Sequence, residues 1–512
     1  MISETEKSGL SRVQSGFLLF SVLVIASCGI FYELLISTVS TYFLGSGVLY
    51  FSITIGLFLF FMGVGSYLSK YVEKNLLQLF FCIEIIIGII GGFSSFILYY
   101  AFSVTEAYHA FSFFVIASIS ALIGLEIPIV TRILKQDHSL KDTLAHILTF
   151  DYIGALIASL LFPLVLLPYL GILRTSFFIG CINLIVAIVG IGIFWKHLQK
   201  KYTYIFFAIL GTVTVIGGFF FSFSITKFFE NYAYQDRIIF TDQSMYQRIV
   251  VTKFKDDIRL FLNGNLQFSS LDEYRYHESL VHIPLLSIKN REEVLVLGGG
   301  DGLVVRELLK YPDIKHITVV DIDSKMTDLA KSNQFFLALN EKSLLNTKVS
   351  VVNEDAFSFI ENTNTFFNAI IIDLPDPEDH SLGRLYSKEF YDRVKKRLSL
   401  DGIMVTQSTS PYFARQAYWT IGETLEAVFP WVKPYTVYVP SFGQWGFFMA
   451  GNVPRQEIPT PSLPMKYLTN EIIPTLFVFD KDTSRIESEV NTLNNQILVG
   501  QYKKSWEQVN IE

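Results

Sequence analysis

The stretch "EEVLVLGGGDGLVVREL", residues 292–308, decides the fold of the C-terminal half of this 512-residue chain. A run of buried-strand type, "VLVL", meets three glycines, Gly298 to Gly300, and "LVVREL" then has helical spacing, so the order is strand, tight turn, helix. Residues without side chains, Gly298 and Gly300 among them, let the backbone approach a ligand closely, and the helix start offers unpaired N–H groups. The next strand, "HITVVDID", ends at Asp321, where an acid can accept hydrogen bonds from ribose hydroxyls. Further βα units read as "KVSVVNEDAFSFI", "FNAIIIDLPDP", "KEFYDRVKKRLSLDG" and "IMVTQSTS". The expectation is a Rossmann-like, doubly wound parallel sheet.

Asp301, Asp321, Asp355 and Asp373 each follow a hydrophobic strand at its C-terminal end, where such sheets bind ligands. Four acids converging on one cleft without a basic partner predict a cationic ligand, because unpaired like charges raise one another's pKa. The chain has no GxGxxG, GxxxxGK[ST] or GxSxG, which speaks against a nicotinamide cofactor, NTP hydrolysis and a serine hydrolase. No Cys/His spacing suggests zinc, and His277 and His282 stand five apart rather than the four that a helical metal pair needs. No metal and no cofactor are expected.

Upstream, "QRIVVTKF" and "IRLFLNGNLQFSS" alternate as strands, and Asn263-Gly264 is a type I′ hairpin signal. A small β domain is expected there, followed by a helix over "LDEYRYHESLVHIPLL".

Before about residue 226 the chain changes character. Composition is 51% hydrophobic and only 17% charged, and the excess is concentrated in this part. A helix needs ~20 apolar residues to cross a bilayer. Seven segments qualify, roughly 16–39, 48–69, 77–102, 110–131, 144–169, 172–195 and 203–225, so a multi-pass membrane domain is expected over residues 1–225. The β domain and linker helix then occupy 226–286, and the Rossmann-like domain 287–512.

Lys7, Arg12, Lys70, Lys74, Arg132, Lys135, Lys141, Lys196, Lys200 and Lys201 fall at one end of these segments; the other end has Arg174, with Lys227 after the last span. The rule puts the N-terminus in the cytoplasm, and an odd number of spans then carries the C-terminal half outside, against a cytosolic metabolic role. Glu33, Glu84, Glu126 and Asp151 lie within the spans, where an unpaired acid costs about 2.5–3.5 kcal/mol at mid-helix, so they should face one another, water or a cation. "MGVGS", residues 62–66, suits close helix contact. Cys28, Cys82 and Cys181 all sit in apolar runs, so no disulfide framework is expected, and the first apolar run lacks the small-residue pattern of a removable signal. The formal charge of -6 gives no support to nucleic-acid binding.

Six motifs, "LNGNLQ" (262–267), "DEYRYHE" (272–278), "LGGGDG" (297–302), "VDID" (320–323), "EDAFSF" (354–359) and "DLPDP" (373–377), resemble in order and spacing the spermidine synthase (polyamine aminopropyltransferase) family over about residues 240–450. The apolar N-terminal extension resembles that of membrane-fused bacterial members. That family transfers an aminopropyl group from decarboxylated S-adenosylmethionine to an amine such as putrescine, giving spermidine and methylthioadenosine. The resemblance implies that Asp321 holds the ribose, Asp355 the adenine amino group, and Asp301 with Gln267 the aminopropyl end. It makes Asp373 the catalytic acid with Tyr276 beside it, and gives Asp376 and His277 to the acceptor. Soluble members commonly read D-S-S-D where Leu374 and Pro375 stand between the acids here, and their P-T-Y/F loop is replaced by "VPSFGQWGF" (439–447), where Phe442 or Tyr438 would take the place of an acceptor-lining tyrosine.

Two other readings compete with a membrane-anchored aminopropyltransferase. One is a polyamine-binding transporter or sensor in which Glu33, Glu126 and Asp151 carry cations along one connected cavity. The other is an S-adenosylmethionine-dependent methyltransferase, against which stand Asp301, the acids of "DLPDP" and Tyr276. Expected partners are the polyamine, the decarboxylated donor, the lipid bilayer and further copies of the chain, in a multi-pass cell-membrane protein.

Overall fold

The computed structural model describes residues 10–44, 47–105, 107–135, 140–234, 236–455, 458 and 463–509. Lys7 lies outside them, and the side chain of Lys227 is not described. The chain divides into two compact units, Met1–Gln235 and Asp236–Glu512.

The first unit consists of apolar helices: α1 (Arg12–Leu44), α2 (Gly47–Leu68), α3 (Leu76–Val104), α4 (Tyr108–Leu134), α5 (Leu140–Leu161), α6 (Leu167–Ile193) and α7 (Lys201–Ala233). Six helical stretches are long and apolar enough to cross a membrane. The sequence reading gave seven segments; the difference is the fifth stretch, Lys141–Ile193, whose 53 residues run through a π-helical turn at Phe162–Leu166 instead of a polar connector. Its helix is interrupted at Gly171 (φ 70°, ψ 178°), a conformation that favours glycine. There the chain doubles back: Thr175 Oγ1 donates to the carbonyl of Leu166 at 3.2 Å, whereas a straight helix separates residues nine apart by about 13.5 Å. Both predicted segments are thus present as two arms of one broken helix.

Arg132 donates to the carbonyls of Val72 (2.6 Å) and Ser69 (2.9 Å), and Gln14 lies 3.4 Å from His197 Nδ1. At Gly65, within "MGVGS", a side chain would run into the carbonyl of Ala121, so α2 and α4 touch backbone to backbone. Helix α7 continues past residue 225 to Ala233 because no breaker interrupts "SITKFFENYA".

The second unit opens with an antiparallel sheet in the order β1-β2-β3-β4: β1 (Arg237–Gln243), β2 (Arg248–Phe254), β3 (Asp257–Leu262) and β4 (Asn265–Ser269). Asn263 (φ 51°) and Gly264 (φ 89°) turn the last hairpin with both central residues left-handed, as a type I′ turn demands. Helix α8 (Glu273–Leu286) leads into a seven-stranded sheet of β5 (Glu293–Gly298), β6 (His316–Val320), β7 (Val349–Val352), β8 (Phe367–Asp373), β9 (Leu398–Gln407), β10 (Trp431–Val439) and β11 (Gly443–Gly451).

Its order is β10-β11-β9-β8-β5-β6-β7, a Rossmann-like arrangement. Strands β5 to β9 are mutually parallel, but β10 and β11 form an antiparallel hairpin against β9, so the sheet is mixed at this edge rather than wholly parallel. Leu295 and Leu297 of β5 face one hydrophobic layer and Val294 and Val296 the other, all fully buried, which is why that strand reads as an unbroken apolar run. Sheet order reverses at β5, with β6 on one side and β8 on the other, and the crevice at the carboxyl ends of these strands is where the predicted acids fall.

Candidate active site

The glycine turn is built by its neighbours. Gly298 pairs with Asp373 across the parallel β5–β8 ladder, has φ 86°, and a Cβ there would fall 1.9 Å from the carbonyl oxygen of Asp373. Only glycine lets the two strand ends close to this distance. Gly300 then turns its N–H onto Asp321 Oδ2 at 3.0 Å, tying the first strand's loop to the tip of the second. Helix α9 (Leu303–Leu308) follows, and Asp301 Oδ1 accepts from the N–H of Leu303 at 2.9 Å.

Asp373 ends β8 half-buried, with Oδ1 accepting from the hydroxyl of Tyr276 on α8 at 2.6 Å. The Tyr276 ring is set by Phe447 of β11, 5.2 Å between centroids. Burial pushes the Asp373 carboxyl up to about 6 and nearby Asp301 adds to this, while His277 and the Tyr276 bond pull it down. Asp376, buried, is raised to about 6 by burial against hydrogen bonds from Thr409 (3.0 Å), Gln407 (3.2 Å) and Tyr502. Asp321 is likewise raised to about 6 by burial, against bonds from the N–H groups of Asp323 (2.8 Å) and Gly300. Asp301 is raised by burial, with His277 pulling it down. Carboxyls raised to about 6, as those of Asp373, Asp376 and Asp321 are, gain or lose a proton readily near neutrality, as proton-handling groups must.

The acids are not free of basic partners, contrary to the sequence expectation. Asp355 caps the helix Ala356–Asn362 by accepting from Ser358 N at 2.9 Å, and its other oxygen is held by Arg384. His277 is buried, with Nδ1 2.7 Å from Glu273 Oε2. Burial lowers the histidine, but Glu273 outweighs it and lifts His277 to about 9; Glu273 falls to about 2 as His277 and Arg306 overcome its burial. His277 lies within electrostatic reach of Asp301 and Asp373 and pulls both carboxyls down, with its Nδ1 held by Glu273. His282 is a packing residue, between Tyr311 and Glu307.

Gln267 is on β4 with its amide on the carbonyl of Asn265 at 3.2 Å. Tyr438 is largely exposed, and Phe442 packs on Trp445. Tyr502, on the C-terminal helix Ile497–Val509, puts its hydroxyl on Asp376, a contact that no motif marks. The sequence reading also missed Glu378, two residues past Asp376, which burial and then Asp376 raise to about 7 and whose Oε1 accepts from Asn265 at 2.5 Å. It passed over Glu273 and Arg306 too, although the i, i+4 spacing of Glu273 and His277 and an arginine on the apolar face of α9 were visible signals. Among the described residues no group of three or more His, Cys, Asp or Glu is placed to hold a metal ion.

Sheet order, glycine turn and the acids at the strand ends define this unit as a Rossmann-like domain with its ligand cleft at the strand ends. The Spermine/spermidine synthase domain matches residues 273–458. A polyamine aminopropyltransferase of Leptospira interrogans is 45% identical over 492 residues, 96% of this chain and 99% of that one, and one of Oceanobacillus iheyensis is 41% identical over 96% and 98%. The chain belongs to the polyamine aminopropyltransferase, or spermidine synthase, family. A crystal structure of spermidine synthase in complex with the transition-state analogue AdoDATO aligns with a TM-score of 0.44 at 24% identity, covering 48% of this chain and 86% of that one.

Proposed function

We propose that the second unit transfers the aminopropyl group of decarboxylated S-adenosylmethionine to an aliphatic amine, putrescine first among the candidates. The observation that carries this is the Tyr276–Asp373 pair, a carboxylate near pKa 6 fixed at a strand end beside the glycine turn. An acceptor arrives as an ammonium and must lose a proton before its nitrogen can attack. Asp373 takes that proton and orients the freed lone pair, with Tyr276 holding the carboxylate in place. The nitrogen bonds to the propyl carbon, the C–S bond breaks, and its electron pair returns to sulfur, converting the sulfonium to the neutral thioether methylthioadenosine.

The other acids divide the remaining work. Asp321, anchored by Gly300 and Asp323, holds the ribose, and Asp301 attracts the donor's ammonium. Ordinary S-adenosylmethionine has a carboxylate at that end, which Asp301 repels, and this is the basis of donor choice over a methyltransferase reaction. Asp376 and Glu378 lie past the reacting centre and suit the acceptor's far ammonium. Asp355 reaches the adenine amino group by exchanging part of its hold on Arg384.

The helical unit, in this reading, lies in a bilayer. Helices α2 and α7 bury only 11% and 22% of their most apolar windows, and side chains such as Phe60 (63% exposed) and Phe220 (74%) point outward. Apolar surface on that scale belongs in lipid. The test of the activity is to incubate purified protein with decarboxylated donor and a panel of amines and to measure methylthioadenosine. Release that requires both donor and a diamine supports the reading; methyl transfer from ordinary S-adenosylmethionine, or no product with any amine, refutes it.

A further inference from the structure

Among the described residues of the helical unit, four buried carboxylate and amide oxygens have no hydrogen-bond partner. Glu126 of α4 is 1% exposed, and neither of its carboxylate oxygens has a partner in the protein. Glu84 of α3, fully buried, accepts from Asn183 Nδ2 at 3.1 Å, which leaves its own Oε1 and the Asn183 Oδ1 unpartnered. Beside these four acceptors stand the unpartnered Tyr32 hydroxyl and the buried Cys28 thiol, both within electrostatic reach of Glu84 and Glu126.

Glu126 faces a partly open cavity between α1, α4 and α5 that it shares with Asp151, while Val22, Ile25 and Val130 supply apolar wall. The cavity admits one group of about the size of a water molecule. Glu33, the third acid of the sequence reading, is not among its lining residues. A metal cation of the calcium class needs six to eight oxygens, and magnesium an octahedron, which two carboxylates in an aliphatic wall do not offer. A primary ammonium head is water-sized, has three N–H donors, and brings an alkyl chain that suits such walls.

We propose that the helical unit binds a primary aliphatic ammonium between Glu126 and Asp151, the two oxygens of Glu126 and the carboxylate of Asp151 taking its three N–H bonds and its chain leaving through the open side. The site is separate from the transfer centre and does not depend on the activity assigned to the second unit.

The test uses the full chain in lipid nanodiscs. Radiolabelled putrescine is titrated by equilibrium dialysis into wild type, Glu126→Gln and Asp151→Asn. Each variant is expected to bind one putrescine fewer per chain, its affinity at this site reduced about thirtyfold or more, with methylthioadenosine release unchanged. Unaltered putrescine stoichiometry would overturn the proposal. A second measurement needs no variant: a hydrophobic carbodiimide should label Glu126 in the wild-type chain, and putrescine should protect it where 1-butanol and sodium chloride do not. Equal labelling with and without putrescine, or equal protection by sodium, would show a site for water or an inorganic ion and refute the assignment.

Discussion

Replacing Tyr276 by phenylalanine removes one oxygen and the 2.6 Å bond it donates to Asp373 Oδ1, while the ring keeps its packing on Phe447. A hydrogen bond to a charged group contributes roughly 1.5–3 kcal/mol, and one pKa unit corresponds to about 1.36 kcal/mol, so the carboxyl should rise by about one to two units from its value of about 6. The sign follows from the chemistry: Asp373 works as the carboxylate, so transfer is lost as pH falls through its pKa, and a higher pKa moves the acidic limb upward. The wild-type profile of kcat/KM for the acceptor should therefore fall below about pH 6, and that of Tyr276→Phe below about pH 7 to 8. Methylthioadenosine release across pH 5 to 9, at saturating donor, reads both limbs. A variant that loses rate equally at every pH, with its limb unmoved, would show that Tyr276 does not act through Asp373.

Asp321→Asn should raise KM for the donor about tenfold to a hundredfold with little change in kcat, because the lost bonds serve ground-state binding; a KM within twofold of wild type would remove the ribose role. Gly298→Ala forces a Cβ against the carbonyl of Asp373 at a φ of 86°, and should lower the thermal midpoint of the second unit and abolish transfer, which calorimetry and the release assay check. The Glu273–His277 pair makes stability depend on pH in two directions. His277, raised from 6.5 to about 9, adds stability that is complete below 6.5 and fades as pH climbs through 9, whereas Glu273, lowered from 4.5 to about 2, adds stability that is lost as pH falls from 4.5 toward 2. Denaturation midpoints at pH 6.5 and 9.5 should differ more in wild type than in His277→Gln.

What the sequence disclosed was local. The strand, glycine turn and helix at residues 292–308 were legible because a strand buried on both faces shows an unbroken apolar run and only glycine tolerates the approach at Gly298. Asn263-Gly264 was equally plain, since few residue pairs turn with both φ positive. Contacts between distant residues left no such mark. Arg384 lies 29 residues beyond Asp355, and Tyr502 comes from the C-terminal helix, so the charge balance at one acid and the hydroxyl at another emerged only from the fold. The antiparallel hairpin of β10 and β11 was missed because neither strand shows the alternation that announces one solvated face. The fifth and sixth apolar segments were located correctly, but the helical hydrogen bonding that joins them up to Gly171 is not a matter of hydropathy.

The most direct test of the mechanism is a single-turnover experiment on Asp373→Asn, with decarboxylated donor prebound and putrescine added. The expected result is a fall in the transfer rate of about a hundredfold to ten-thousandfold, with donor affinity within threefold of wild type, because the amide keeps the shape but cannot take the ammonium's proton. Transfer within a fewfold of wild type would contradict the account, since another group would then be deprotonating the acceptor.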